Sequence, residues 1–308
     1  MSDTRAVVFA YHDVGVRCLK GLLSAGVAVP LVVTVKDDPR EQQWFASVAA
    51  AAADYGLDVI TPEDANTPAL ARRVAELQPD FVFSFYYRAL LGAPLLRAAR
   101  RGALNMHGSL LPKFRGRAPV NWAILRGERE SGATLHYMVE RADAGDIVDR
   151  QAVPILLDDD AREVYTKVTV AAETVLARSL PALIAGNAPR RPQPVLPGEY
   201  FGRRRPEDGR IDWSRPALEI HNLVRAVAPP FPGAFGTVAG ERWEIQRTRL
   251  APGIGAPRAA ALFGSDGNCY LACGDGVALR LLAAADARGG IDLAALARQA
   301  AQRPLPLG

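Results

Sequence analysis

Strand-like apolar runs alternate with helix-like stretches through the first half of this chain, and that alternation restricts its fold more than any other feature. Residues 6–10 (Ala-Val-Val-Phe-Ala) are apolar without interruption, the pattern of a parallel strand covered on both faces. Residues 11–15 read as a loop, 16–25 as a helix stopped by Gly26, and 30–35 as a second strand. Residues 41–55 form an alanine-rich helical stretch stopped by Gly56, and 58–60 a short strand. A helix over 67–77, ended by Pro79, and a fourth strand over 80–85 follow. Strand, helix, strand in repetition predicts an α/β fold: a Rossmann-like, doubly wound, mainly parallel sheet with right-handed crossovers.

Such sheets take ligands in the crevice beyond the carboxyl ends of their strands. Loops 11–15, 86–91 and 107–117 leave that edge and are expected to converge there. The first turn, Tyr-His-Asp-Val-Gly, is not Gly-X-Gly-X-X-Gly, and no Gly-X-X-X-X-Gly-Lys-Ser occurs. The usual dinucleotide and phosphate-loop cradles are thereby excluded.

Residues 102–106 read as another buried strand. Side chains two apart on a strand share a face, so Asn105 and His107 project the same way where the strand runs out into Gly-Ser. An amide can donate to a developing negative oxygen, and an imidazole titrates near neutrality. Pro112 and Pro119 bracket a loop carrying Lys113, Arg115 and Arg117. Read alone, the pair also fits a structural role, His capping a carbonyl and Asn closing a turn. Residues 117–126 suit a helix, with Pro119 early and Gly127 as its stop. Strands over 133–139 and 147–155 suggest a hairpin whose tight loop, 141–146, returns to the crevice and makes Asp143 the natural carboxylate to orient His107. Asp160 and Glu163 form a capping-box start for a helix running to Ile184.

Length and charge set outer bounds. A chain of 308 residues suggests two domains, placed here at 1–205 and 206–308. A net charge of +4 suits anionic ligands without choosing a nucleotide over a nucleic acid. No apolar run of transmembrane length stands out, and residues 1–5 pass into a strand without the layout of a signal peptide, so a cytoplasmic protein is expected. Cys18, Cys269 and Cys273 form neither a disulfide framework nor a zinc pattern, and no metal is expected. Residues 187–209, rich in Pro, Gly and Arg, read as a linker. A helix over 215–227 then precedes five short Gly-broken strands (234–238, 242–248, 258–263, 268–272, 277–282) and a helix near 293–299, which suits a small, OB-like β-barrel.

Asn105-Met-His-Gly-Ser-Leu-Leu-Pro-Lys-Phe-Arg-Gly116, with Asp143 in Arg-Ala-Asp-Ala-Gly, resembles the 10-formyltetrahydrofolate-dependent formyltransferases. The likeness spans essentially the whole chain, including Ile211-Asp-Trp213 and the barrel. It is greatest to the formyltransferase half of the bifunctional UDP-4-amino-4-deoxy-L-arabinose enzymes of polymyxin resistance. Residues 8–15, 83–88, 113–119, 201–204, 224–227 and 231–235 carry it. The resemblance implies that Asn105 donates to the oxyanion, that His107 shuttles the proton, and that Asp143 orients His107 and favours its charged form. It places the folate against Ala89, Leu90 and Leu91, against Arg117, and along Val139, Glu140, Arg141, Ala142 and Asp143, although Leu90 and Leu91 also suit a core. For the sugar nucleotide, Lys113, Arg203 and Arg204 are candidate phosphate ligands, Tyr86 and Tyr87 are candidates to flank sugar or uracil, and His12 stands at the productive edge. Packing and a solvated linker explain these residues as well. His136 reads as a satisfied structural residue, and His221 as a contact between domains.

The function implied is formylation of the amine of a UDP-linked amino sugar, first UDP-4-amino-4-deoxy-L-arabinose, in lipid A modification. The bifunctional relatives carry a decarboxylating dehydrogenase half that this sequence does not show after the barrel, so oxidative decarboxylation, if the organism performs it at all, is expected of another protein. Another nucleotide-linked amino sugar is a variant. Formylation of methionyl-tRNA is the main alternative, but it calls for an inserted basic loop and a broader positive face, and 113–119 runs on without an insertion. Neither nucleic acid binding nor membrane insertion is expected.

Overall fold

The apolar runs become the centre of a buried sheet. The computed structural model describes residues 4–36, 43–194 and 200–308. Strand β1 (Arg5–Ala10) leads without a loop into α1 (His12–Ser24), followed by β2 (Ala28–Val33), α2 (Val48–Asp54), β3 (Val59–Ile60), α3 (Pro68–Glu76) and β4 (Phe81–Phe85). Then come α4 (Ala93–Arg97), β5 (Gly102–His107), β6 (Arg115–Gly116), α5 (Pro119–Leu125), β7 (Glu130–Tyr137), β8 (Ile147–Pro154), α6 (Ala161–Ala185) and β9 (Tyr200–Phe201). The main sheet runs β3-β2-β1-β4-β5-β7-β8. Its first five strands are parallel, and β7 and β8 join antiparallel. Val7, Phe9, Leu31, Val33 and Val82 are fully buried in it, as strands covered on both faces must be.

Three local expectations change. Residues 11–15 are not a loop: His12, at φ 68°, turns the chain straight from β1 into α1. The alanine-rich helix is shorter than expected, starting at Val48 under a cap in which Ala50 N donates to Ser47 Oγ (3.3 Å); residues 41–42 of that stretch lie outside the described residues. One helix, α6, does have the length and apolar composition to cross a membrane, with half of its most apolar window buried inside the protein. Val164, Val168, Ala172, Val175 and Leu176 are buried at helical spacing, which is why it is so apolar. Its capping box is formed: Glu163 N donates to Asp160 Oδ1 (2.8 Å) and Asp160 N to Glu163 Oε2 (2.9 Å).

Two units divide the chain, 1–119 with 130–154 and 165–202, and 120–129 with 155–164 and 203–308. Segments 120–129 and 155–164 group with the C-terminal residues because side chains tie them there. Asn121 Nδ2 donates to the Ala226 carbonyl (2.7 Å), and Arg225 Nη1 to those of Leu156 (3.1 Å) and Asp159 (2.9 Å). In this second unit a short 3-10 turn (Pro206–Gly209) and α7 (Ala217–Ala226) precede β10 (Ala234–Val238), β11 (Glu241–Ala251), β12 (Ala261–Ser265), β13 (Asn268–Ala272), β14 (Ala278–Asp286), β15 (Gly289–Gly290), α8 (Leu293–Gln302) and β16 (Leu305–Pro306). The strands form an antiparallel path β10-β11-β14-β13-β12-β16 around a core holding Trp213, Trp243, Ile245, Leu271 and Leu279. The chain end closes it: β16 pairs with β12, and Thr237 exchanges backbone bonds with Gly308 (2.7 and 3.1 Å). The result is a small barrel. Cys18, Cys269 and Cys273 are free and buried.

Candidate active site

Strand β5 carries Asn105 and His107 to its end on one face, as alternation dictates. Antiparallel pairing with β7 sets His136 directly across from Asn105. The turn between β7 and β8 brings back Asp143, in the left-handed region at φ 52°. Gln193 pins that turn, its Nε2 donating to the carbonyls of Asp143 (3.0 Å) and Gly145 (2.7 Å). Four side chains from three segments therefore meet. Asp143 Oδ1 lies 3.4 Å from Asn105 Nδ2, 3.6 Å from His107 Nδ1 and 3.5 Å from His136 Nε2.

Hydrogen-bond roles follow from what each partner can do. The Phe114 carbonyl only accepts, so His107 Nε2, 2.9 Å away, carries a proton. Nδ1 is left as the proton-accepting atom, beside Asp143. The carboxylate also takes the Gly116 N–H on Oδ2 (2.9 Å). Burial pushes this carboxyl's pKa up, but the His107 imidazole and the Gly116 N–H are among the neighbours that outweigh it. Asp143 is held well below the usual carboxylate range and is ionised.

The loop after β5 is tied at nearly every step. Ser109 Oγ donates to the Lys113 carbonyl (2.6 Å), Thr134 Oγ1 to that of Ser109 (2.6 Å), and Arg150 Nη1 to that of Leu111 (2.9 Å). β6 pairs with β9, and Gly116, at φ 104°, lies so close that a Cβ would sit 2.3 Å from the Phe201 carbonyl oxygen. Beside the Asp143 turn opens a cavity of about 430 Å³, lined by Leu96, Ala103, Met138, Val139, Ala144 and Gly145, with Arg97, Glu140, Asp146 and Arg190 as charged members. The Arg190 guanidinium stacks on Tyr137, 3.7 Å from the ring centre. This combination of a donor, a base, a carboxylate and an adjoining cavity with both apolar and charged walls suits acyl transfer to an external nucleophile.

Comparison with known proteins agrees. Residues 7–180 match the formyl transferase family, and 204–293 match the formyl transferase C-terminal domain. The chain belongs to the formyl transferase family.

Among solved structures, an N-formyltransferase from Helicobacter canadensis, in complex with folinic acid and dTDP-3-aminofucose, is similar at 22% identity and TM-score 0.72, over 90% of this chain and 98% of that one. WlaRD, a sugar 3N-formyl transferase in the presence of dTDP and 5-N-formyl-THF, is similar at 19% identity and TM-score 0.70, over 94% and 98%. A glycinamide ribonucleotide transformylase from Symbiobacterium toebii is similar at 23% identity and TM-score 0.53, over 64% and 92%. At these identities the likeness is one of fold.

In this formyltransferase the residues expected to line a folate site fall into two groups. Val139 and Glu140 line the cavity, while Asp143 belongs to the catalytic cluster. Leu90 and Val139 are 62% and 47% exposed, large apolar surface that a core reading of Leu90 does not explain. Asn66 anchors that loop, its Nδ2 donating to the Leu90 carbonyl (3.0 Å) and its Oδ1 accepting from Gly92 N (2.7 Å). Ala89, Arg117 and Arg141 are exposed, and Leu91 and Ala142 half-buried. Arg97, Arg190, Asn66 and Gln193 are not marked by any local sequence pattern.

The substrate candidates are more scattered. Tyr86 lies over the loop after His107, its buried hydroxyl so close that a Cβ at Gly108 would lie 1.7 Å from it. His12 is packed among rings: stacked on Phe45 (3.9 Å between centres), 4.5 Å from Trp44 and 4.4 Å from Tyr165. Burial lowers its pKa, against the pull of Asp13. Lys113 is exposed on its loop. Arg203 and Arg204 belong to the second unit, where Arg204 lies over Trp122 (5.1 Å) and donates to the Asp208 carbonyl (2.9 Å). His221 bonds Thr248 Oγ1 and the Leu157 carbonyl, both at 2.9 Å.

Proposed function

We propose that this formyltransferase moves the formyl group of 10-formyltetrahydrofolate onto the amine of a nucleotide-linked amino sugar, first UDP-4-amino-4-deoxy-L-arabinose. The observation that carries the reading is the meeting of Asn105, His107 and an ionised Asp143 around one oxygen, Asp143 Oδ1. The acceptor's own amine is the nucleophile, so no Ser or Cys is needed. Its nitrogen bonds to the formyl carbon, and Asn105 donates its amide to the oxygen that becomes negative. His107 Nδ1 takes the amine proton and returns it to the folate nitrogen as the carbon–nitrogen bond to folate breaks. Asp143 orients the ring and stabilises its charged form. The products are a formamide and tetrahydrofolate.

The cavity supports the co-substrate assignment. Leu96, Ala103, Met138 and Val139 suit an aromatic ring system, and Arg97 and Arg190 suit its glutamate carboxylates. We assign folate there, with Leu90, Leu91 and residues 139–143 as further contacts, and assign Tyr86, His12 and Lys113 to the sugar nucleotide. Arg203 and Arg204 are tested as phosphate ligands by substitution with Ala; a raised KM for the nucleotide supports them. Buried free thiols suit a reducing compartment, which supports a cytoplasmic site of reaction. A dTDP-linked 3-amino sugar is the second reading, favoured by the ligand of the similar Helicobacter canadensis enzyme.

The test mixes protein, 10-formyltetrahydrofolate and each amino-sugar nucleotide, and follows tetrahydrofolate release. Release that depends on the UDP sugar supports the first reading, and dependence on a dTDP sugar supports the second. Release with charged initiator tRNA and with no amino sugar overturns both.

A further inference from the structure

The three family roles leave one buried ionisable group at the centre unused. His136 is 1% exposed, and both of its ring nitrogens are engaged. Nδ1 lies 2.9 Å from the carbonyl oxygen of Tyr137, which can only accept, so Nδ1 carries a proton. Nε2 lies 3.1 Å from Asn105 Nδ2. When Nδ1 holds the ring's single proton, Nε2 presents a lone pair, and only a donor can meet it. That fixes which end of the Asn105 amide faces the centre. One Nδ2 hydrogen goes to His136; the other, only 3.4 Å from Asp143 Oδ1 and so weakly held, is the one left to turn to a formyl oxygen.

We propose that His136 is a positioning residue for formyl transfer, holding the Asn105 amide with its N–H turned to the formyl oxygen. The inference rests on the formyl-transfer reading above. A second proton on His136 would set donor against donor at Asn105. The nearest other acceptor is Asp143 Oδ1, 3.5 Å away. The amide would then turn its oxygen to His136, and the developing oxyanion would meet a carbonyl instead of an N–H. The cross-strand register of Asn105 and His136 makes the contact a fixed property of the β5–β7 pairing.

Two measurements test this. Long-range proton–nitrogen correlation of the wild-type imidazoles, assigned by the signal lost in His136→Gln, reads the tautomer directly. The Nδ1-protonated form with a bare Nε2 is expected, and a proton on Nε2 overturns the proposal. In kinetics, His136→Leu should lower kcat by about 10- to 100-fold with KM for both substrates within about threefold. His136→Gln, whose amide oxygen can accept from Asn105, should recover most of the loss. In Asn105→Ala, adding His136→Leu should cost less than about twofold more, because the residue it positions is gone. Additive losses, or KM rising as kcat falls, mean a purely structural role. Should His136→Leu fail to fold, His136→Gln and the tautomer still decide. Should wild type release no tetrahydrofolate with any amino sugar, the functional reading fails, while the tautomer still judges the geometry.

Discussion

Residue identity at the centre is set by hydrogen-bond arithmetic. Of Asn105, His107 and Asp143, Asn105 is the one that can bring a neutral N–H to a developing oxyanion, since the His107 Nε2–H is given to the Phe114 carbonyl. Asn105→Ala is expected to lower kcat by about 10²- to 10³-fold with little change in KM, measured by tetrahydrofolate release. His107→Ala and Asp143→Asn are expected to abolish turnover while nucleotide affinity, measured by calorimetry, is largely kept. Equal loss of affinity in both would assign them structural roles instead. Asp143 also leaves a mark on stability. Its folded pKa is depressed, so the unfolded chain binds the proton more readily. The stability it contributes is full above the unfolded value of about 3.9 and is lost as pH falls through the lower folded value. The stability gap between wild type and Asp143→Asn, from urea midpoints, should stay constant above about pH 5 and shrink progressively as pH falls below about 4. A gap that widens in acid would contradict the assignment.

At the scale of elements, the site depends on loops that strands and caps hold still. Asn66 fastens both sides of the turn before Gly92 and touches no catalytic residue in its bonds. Asn66→Ala is therefore expected to raise KM for the formyl donor by about threefold or more with kcat kept, in steady-state kinetics. The capping box at the start of α6 acts on stability alone. Asp160→Ala should cost about 1 kcal/mol in denaturant unfolding without changing KM. These elements were also the legible part. Apolar runs and Gly or Pro stops mark most strands and helices because backbone preference and burial act locally. The loop read into residues 11–15 failed for a local reason too: a single left-handed residue, His12, does the turning, and nothing in its identity announces it.

For the molecule as a whole, the chain end is a structural member of the second unit. Four backbone bonds link residues 306–308 to Thr237, Ala239 and Ala260. At about 1 kcal/mol each, their removal should lower the unfolding midpoint of a variant lacking residues 305–308, read by denaturant titration. By itself the sequence determined the class of sheet, the barrel, the shared face of Asn105 and His107, and the return of Asp143, because alternation and hairpin patterning are written in neighbours. Only the tertiary structure decided that His136 faces Asn105, that Gln193 clamps the Asp143 turn, and that Arg97 and Arg190 share one cavity. Those pairings join residues tens of positions apart. Antiparallel register and chain return fix them, and no local pattern encodes either.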